Sequence, residues 1–490
     1  MGIRTGAELI AGLDDGRELY IDGERVGDLA GDPRFAGGLR TLAELYDMQH
    51  ADGLVDEMTY VSPSSGDRVG LSFIQPRSRE DLVRRRVMVK RWHDHTFGMY
   101  GRAPDFMNAM LSGFGACPGA FGEFGENVRR YYELVRENDL VTTHSLTNPQ
   151  VDRSKDVSEQ KGPMDLAAKA VRETDSGIVI RGARMLATLG AFSDELVVMP
   201  APSYPLPDTG QAKPYAIGFA VPVATPGMRL ICRPAVVHRE AGSALDFPLS
   251  SRLDETDCMV VFDDVEVPWE RVFLYRDVDA FNSIYPRTGA GAGMAHQFVT
   301  KNLAKAEFMM ALAFTLVRTT RIDVHQHIQG MLAELINYVE VVRSCLMASE
   351  AEPRDGPDGT LLPAMGPLDA VRFLYPQMFR RSCEIVQTMG AGGLVMVPSF
   401  AELDGPVGAD IETYYQAAGA DSRARIKLFR LAYDAAMSSF SGRQQLYERY
   451  FAGDLVRAAG FLYERTEKER HIERIWRILD ELEAGGQTAV

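Results

Sequence analysis

Apolar positions change their period twice along this chain. Over about 1–145 the pattern is mostly helical. Ser78 followed by Asp81 predicts a capping-box start for a helix carrying Leu82, Val83, Val87 and Trp92. Glycine is dense from Gly98 to Gly125, where turns interrupt the helices. From about 150 to 275 short β-branched runs take over, at Gly177–Ile180, Leu196–Met199, Tyr215–Val223 and Met259–Phe262. With Gly, Pro and Asp between them, they predict strands of a small barrel or sandwich. Ala201 to Pro214, with prolines at 202, 205, 207 and 214, predicts a surface loop. After about 290 a helical period returns. One stripe holds Ile328, Met331, Leu332, Leu335, Ile336, Val339, Val342 and Leu346, ahead of a Pro/Gly break over Glu352–Pro367. A second holds Ile426, Phe429, Tyr433, Ala436, Met437 and Phe440, with Gly442 as its expected stop. A last charged helix over 461–483 carries Ile472, Ile475, Trp476, Leu479 and Leu482. Helices and strands so segregated predict an α+β protein, divided as 1–149 helical, 150–277 β and 278–490 helical bundle with tail.

Composition narrows the classes. The 490 residues are 46% apolar and 25% charged, which excludes collagen-like and wholly disordered chains. A net charge of −15 disfavours nucleic acid and anionic membrane surfaces as partners. The five cysteines form no CxxC pair, so a disulfide scaffold or zinc ribbon is not expected and a reducing cytoplasm is. The first residues carry no signal-peptide core, and no apolar run is long enough for a membrane span.

Several motifs dissolve on inspection. Gly289-Ala290-Gly291-Ala292-Gly293 is followed by Met294 and lacks the third glycine of a dinucleotide loop, so a flexible helix entry is expected. Gly390 to Gly393 fails similarly, and no Walker A sequence exists. His93-Asp94-His95 and His325-Gln326-His327 place their imidazoles on different helix faces; solvated polar residues are expected, and no metal. HExxH and GxSxG are absent. Two stretches look more deliberate: Gly101–Phe106, and Thr142–Arg153 where the helical pattern gives way to β. Junctions of this kind favour ligand clefts, which makes Arg102 and His144 candidates. A buried arginine paired with an acid, or a satisfied core histidine, is the alternative for each.

Read in order, the following stretches resemble one family. They are Asp15-Gly16-Arg17 with Tyr20-Ile21, Gly23-Glu24-Arg25-Val26, Gly101-Arg102-x-Pro104-Asp105, and His144 with Asn148-Pro149 and Arg153. Downstream come Glu173-Thr174-Asp175-x-Gly177-Ile178, Gly182-Ala183-x-Met185-Leu186-Ala187-Thr188, and Pro248-Leu249-Ser250-Ser251-Arg252. Pro268-Trp269-Glu270 and Gly442-Arg443 with Tyr447-Glu448 complete the set, which runs over about 1–455. The chain is similar to the large, oxygenase component of 4-hydroxyphenylacetate 3-monooxygenase and its phenol-hydroxylating relatives. The resemblance implies an acyl-CoA-dehydrogenase-like fold (helical domain, central β-barrel, helical bundle) in a homotetramer or homodimer. It implies reduced, diffusible FAD, supplied by a separate NAD(P)H-dependent reductase, and ortho-hydroxylation of a phenol by O2 through a flavin C4a-hydroperoxide.

The same resemblance implies site residues. Arg102 matches a phenolate stabiliser, and His144 a partner of the phenolic oxygen and its base. Phe106 stands where the family often has Tyr, which keeps an aromatic wall but removes a donor and puts 4-hydroxyphenylacetate itself in question. In the halophenol and nitrophenol branch a histidine early in the bundle is the base; His296 matches it. Gln150, Val151, Asp152, Arg153, Thr188, Tyr450, Phe451, Ala452 and Gly453 match flavin-lining segments. Rival readings are weaker. A 4-hydroxybutyryl-CoA dehydratase needs cluster-ligating thiolates, where this chain has Ala103 and Leu303. An acyl-CoA dehydrogenase needs a bundle carboxylate, for which Glu334 and Glu340 are available. A non-catalytic relative has no reason to keep Arg102 and His144.

Overall fold

Ser78 caps its helix as the sequence predicts. Its hydroxyl accepts from the Asp81 N–H and the Asp81 carboxylate accepts from the Ser78 N–H, both at 3.1 Å. The structure, a computed structural model, describes residues 2–160, 165–202, 204–236 and 244–486; the last residues of the expected bundle, 487–490, lie outside these. The N-terminal part opens with two short strands, β1 (Glu18–Ile21) and β2 (Glu24–Arg25). Helices α1 (Arg79–His95) and α2 (Pro104–Gly115) follow, and strand β3 (Thr142–Ser145) ends it. The stretch expected to be helical thus lends three strands to the β region. They are too short, at two to four residues, for a period to register.

The β region holds β4 (Lys169–Glu173), β5 (Gly177–Thr188), β6 (Glu195–Val198), β7 (Ile217–Pro222), β8 (Met228–Cys232), β9 (Asp257–Pro268) and β10 (Val272–Tyr275). They form two sheets, β2-β1-β8-β9-β5-β4 and β10-β7-β6-β3. β3 runs parallel to β6 with His144 opposite Val197. The sheets are stitched where Thr143 Oγ1 donates to the Thr188 carbonyl at 2.5 Å and Ser145 Oγ to that of Met185 at 3.0 Å. β3 therefore lies against both sheets.

The C-terminal bundle contains α3 (Val278–Thr288), α4 (Ala290–Thr320), α5 (Gln326–Ala351), α6 (Met365–Gly390), α7 (Ser422–Ala436), α8 (Ser439–Tyr450) and α9 (Lys468–Gly486). Gly289, at φ 69°, is the left-handed joint between α3 and α4, which accounts for the glycine run without a nucleotide. Of the predicted α5 stripe, Ile328, Leu332, Leu335, Val339, Val342 and Leu346 are buried. Each such side chain stabilises the fold by about 1.5–3 kcal/mol. The second stripe is two helices. Ser438 is drawn to Asp434 Oδ1 at 2.7 Å and caps a new helix through the Ser441 N–H, so Gly442 lies inside α8 rather than ending it. The last helix also breaks, at Thr466, into Leu455–Arg465 and α9. α4 packs against α1, α2, α5 and α6 and is the axis of the bundle. Among the described residues no helix is long and apolar enough to cross a membrane.

Candidate active site

Arg102 occupies the turn between α1 and α2, and two glycines press that turn against the bundle. A Cβ on Gly98 would meet the Lys301 carbonyl oxygen at 2.7 Å; one on Gly101 would meet the Tyr447 ring at 2.5 Å. Pro104 then starts α2 at a position where no N–H is needed. The Arg102 N–H donates to Glu255 Oε1 at 2.6 Å, and its Nη2 to the Phe451 carbonyl at 3.0 Å. The guanidinium carbon lies 3.9 Å from the Phe106 ring centre and 5.2 Å from that of Phe451. Its Nη1 is buried without a partner, and no carboxylate pairs with the guanidinium among the described residues.

His144 comes to the same place from β3. It is 5% exposed, and its ring centre is 5.5 Å from that of Phe106. Burial first, and the Arg102 charge second, hold its pKa well below the usual 6.5. The imidazole is therefore neutral at pH 7. Arg102, Phe106 and His144, chosen from sequence alone, are brought together.

The flavin-lining candidates divide. Phe451 belongs to the set through its carbonyl and ring, which stacks on Tyr447 at 4.7 Å. Thr188 is linked to it through Asp257. Thr188 Oγ1 donates to Asp257 Oδ1 at 2.8 Å, Arg443 bridges Asp257 and Glu255, and Glu255 holds the Arg102 N–H. Burial notwithstanding, Arg443 and Arg233 keep the Asp257 carboxyl far below its ordinary range. Ala452 follows Phe451 and accepts from Arg372 Nε at 2.6 Å; Gly453 turns the chain with φ 94°, and Tyr450 is exposed. Gln150, Val151 and Arg153 are exposed on the loop after β3. Asp152 there is used locally: its N–H donates to Gln160 at 2.8 Å and its carboxylate accepts from Ser154. No hydrogen bond links this loop to Arg102 among the described residues.

His296 is not brought to the set. On α4 it stands two residues from both Met294 and Phe298, about 200° around the helix. Phe298 faces Phe451 at 5.4 Å, and Lys301 lies 4.4 Å from the same ring. His296 faces the other way, into a fully buried pocket with Arg85 and Glu350. Arg85 Nη2 approaches Nδ1 at 3.3 Å and can only donate, so Nδ1 accepts and Nε2 gives its hydrogen to Glu350 Oε1 at 2.8 Å. With both nitrogens engaged and burial lowering its pKa to about 4, His296 has no lone pair for a substrate proton. His93 also departs from the expected solvated state: it is fully buried, 3.1 Å from Asp105 and 3.0 Å from Gln297.

Two lysines escaped sequence reasoning. Lys301 and Lys305 are fully buried and share Glu448 Oε1 at 2.5 and 2.6 Å. With Arg102 and Arg443 they place four cations within 5.8 Å of the Tyr447 ring centre. Burial, then Lys305 against the pull of Glu448, brings Lys301 down to about 7. The readable signal was two like charges one turn apart in an otherwise apolar helix, a pairing that needs a shared counter-ion.

The family pattern described as 4-hydroxyphenylacetate 3-hydroxylase N terminal matches residues 5–274, and its C-terminal counterpart residues 281–480. The chain belongs to the 4-hydroxyphenylacetate 3-hydroxylase family. It is 43% identical over 479 residues to the 4-hydroxyphenylacetate 3-monooxygenase oxygenase component of Thermus thermophilus, covering 98% of each chain. A crystal structure of such an oxygenase component, complexed with FAD and 4-hydroxyphenylacetate, superposes with a TM-score of 0.93 at 43% identity over 98% of each chain. An archaeal 4-hydroxybutyryl-CoA dehydratase from N. maritimus, 19% identical with a TM-score of 0.86 over 98% of this chain and 95% of its own, shares the fold.

Proposed function

We propose that this chain is the oxygenase of a two-component phenol hydroxylase, adding a hydroxyl ortho to an existing phenolic hydroxyl with O2 and reduced FAD. The observation that carries the reading is the pairing, against the Phe106 ring, of a guanidinium without a carboxylate and a neutral buried imidazole. The FAD-bound and substrate-bound relative supports it. The relatives' designation as an oxygenase component supports a separate NAD(P)H-dependent flavin reductase.

A flavin fits the residues present. Arg102 Nη1 and Tyr447 Oη are both buried without partners where three parts of the chain meet, and each suits a ligand rich in acceptors. Phe451 and Thr188 would hold its ring; Gln150, Val151, Asp152, Arg153, Tyr450, Ala452 and Gly453 would hold its edges and tail. Bound reduced FAD supplies the electrons and activates O2.

The chain's own groups prepare the phenol. Arg102 attracts the phenolic oxygen and stabilises its anion in a dry site, where Coulomb attraction is strong. His144, unprotonated at neutral pH, is the acceptor for the phenolic proton, and Arg102 makes the transfer favourable by stabilising the phenolate. A phenolate carries more electron density at its ortho carbons than a phenol, so an electrophilic oxygen is attacked there. Phe106, Phe451 and Phe298 keep water out. In balance, phenol, O2, two electrons and two protons give catechol and water.

Five free thiols suit a cytoplasmic setting. Assembly as a homotetramer or homodimer is supported by α9, where Ile472, Ile475, Trp476, Leu479 and Leu482 are 47–67% exposed along one stripe. The function is tested by mixing the chain with reduced FAD, O2 and a panel of phenols in a single turnover. Catechol is the expected product. Hydrogen peroxide without catechol from every phenol would overturn the reading.

A further inference from the structure

The guanidinium of Arg102 is held by one hydrogen bond among the described residues, to the Phe451 carbonyl. That carbonyl lies at the end of α8, where helix carbonyls lack partners within the helix and point as the last turn is packed. What packs it is the ring of the same residue. The Phe451 ring stacks on Tyr447 at 4.7 Å and meets Phe298 edge-on at 5.4 Å, and the Lys301 ammonium lies 4.4 Å from its centre. Phe298 and Lys301 are three residues apart on α4, so one helix face supplies both an edge and a cation to this ring.

The charges around that ammonium do not balance. Lys301 and Lys305 share one carboxylate, Glu448, and no other acid pairs with either among the described residues. Lys305 alone would neutralise it. Lys305 also donates to Gln444 Oε1 at 2.9 Å, and Gln444 Nε2 donates to the Met99 carbonyl at 2.7 Å. Lys301 makes no further hydrogen bond among the described residues; its other contacts are the Phe451 and Tyr447 rings, at 4.4 and 5.0 Å. Enclosing a second cation costs stability that pairing Glu448 does not require. The ionisable groups around it are Lys305 on its own helix, Tyr447 and Glu448 on α8, Arg102 on the turn and, from α6, Tyr375 and Cys383 in the field of Glu448.

We propose that Lys301 is a positioning residue of the phenol site: its ammonium, set on Glu448 against the Phe451 ring, holds that residue so that its carbonyl aims the Arg102 guanidinium at the phenolic oxygen. The proposal rests on the phenol-hydroxylase reading above and adds a residue that acts there without touching the substrate. A desolvated ammonium grips an aromatic ring, and a neutral side chain of similar length does not. Without that grip the Phe451 carbonyl drifts, the guanidinium turns, and the phenolate loses part of its stabilisation. The loss weighs most where the site must ionise the phenol and least in alkali, where the phenol ionises unaided. Lys301 itself, brought down to about 7 by burial, gives up its charge over the same rise in pH.

The test is the rate of catechol formation in a single turnover with reduced FAD and O2, followed from mild acid to mild alkali in the natural chain, Lys301→Met and Lys305→Met. The phenol is 4-hydroxyphenylacetate, or the panel phenol that the natural chain converts best if that acid gives no catechol. Lys301→Met should be slower by about tenfold at about pH 6 and should close the gap towards about pH 9, with hydrogen peroxide in place of the lost catechol and half-saturation by phenol little changed. Lys305→Met leaves Lys301 on Glu448 and Phe451; it should lower stability in urea and keep the natural pH dependence. A natural rate in Lys301→Met overturns the proposal. So does a loss equal at every pH, or the same pH-dependent loss in both methionine variants. Should Lys301→Met fail to fold, Lys301→Gln is read by the same criteria. Absence of catechol from every phenol in the natural chain fails the hydroxylase reading instead.

Discussion

The Arg102 guanidinium touches an aromatic face and a carbonyl but no acid among the described residues, and that choice of partners keeps its charge available. His144 lies against the same Phe106 ring, uncharged because it is buried beside that cation. Replacing His144 with alanine removes the proposed proton acceptor and leaves the cation. Phenol hydroxylation is expected to slow by about a hundredfold or more. In a single turnover, hydrogen peroxide should then replace catechol; a natural catechol yield per flavin would remove His144 from the chemistry. Phe106 is the second lever. With Arg102 3.9 Å from its ring centre, a hydroxyl at its para position adds a donor at the site. Phe106→Tyr is expected to raise kcat/KM for 4-hydroxyphenylacetate about tenfold. No gain would mean the para position points away from the phenolic oxygen.

At the level of elements, helix α4 decides which charges reach the site. One face carries Phe298, Lys301 and Lys305 towards the Tyr447–Phe451 stack, and the opposite face carries His296 to Glu350. The His296 face has a consequence for acid stability. His296 titrates at about 4 when folded and at 6.5 when free. Between those values the unfolded chain binds the proton and the folded chain does not, so stability falls as pH drops from 6.5 towards 4. His144 shifts in the same direction. Glu350, held ionised against its burial by His296 and Arg86, loses its contribution only in stronger acid. In urea unfolding series across this range, His296→Gln should reduce the slope of stability with pH by up to about 1.4 kcal/mol per unit. A slope equal to that of the natural chain would show that other groups set it.

Across the whole molecule, the site is a junction. Arg102 comes from the N-terminal helices, His144, Thr188 and Glu255 from the β region, and Tyr447 and Phe451 from the bundle. No part of the chain holds it alone. The exposed apolar stripe of α9 is the surface on which the proposed assembly rests. Trp476→Glu places a charge in the middle of that stripe, where burial against a second copy would be expensive. Light scattering is expected to give a smaller assembly for this variant than for the natural chain. The same mass for both would move the interface off α9.

Local rules made much of this protein legible in advance. Hydrophobic period placed the α5 stripe, Ser78 and Asp81 placed the start of α1, and the stretches Gly101–Phe106 and Thr142–Arg153 singled out Arg102 and His144 as candidates. Each of these depends on neighbours within a few residues. What local rules leave open is which face of an element meets which partner. Strands of two to four residues carry no period, so the contribution of β1, β2 and β3 to the sheets emerged only from pairing. Lys301 and Lys305 are enclosed only by the fold, which brings Glu448 to both. His296 looked suited to catalysis until the turn of α4 committed both its nitrogens to Arg85 and Glu350. The types of residue available to the site were fixed by sequence; their charge states and their company were decided by tertiary burial, because desolvation and long-range pairing depend on segments hundreds of residues apart.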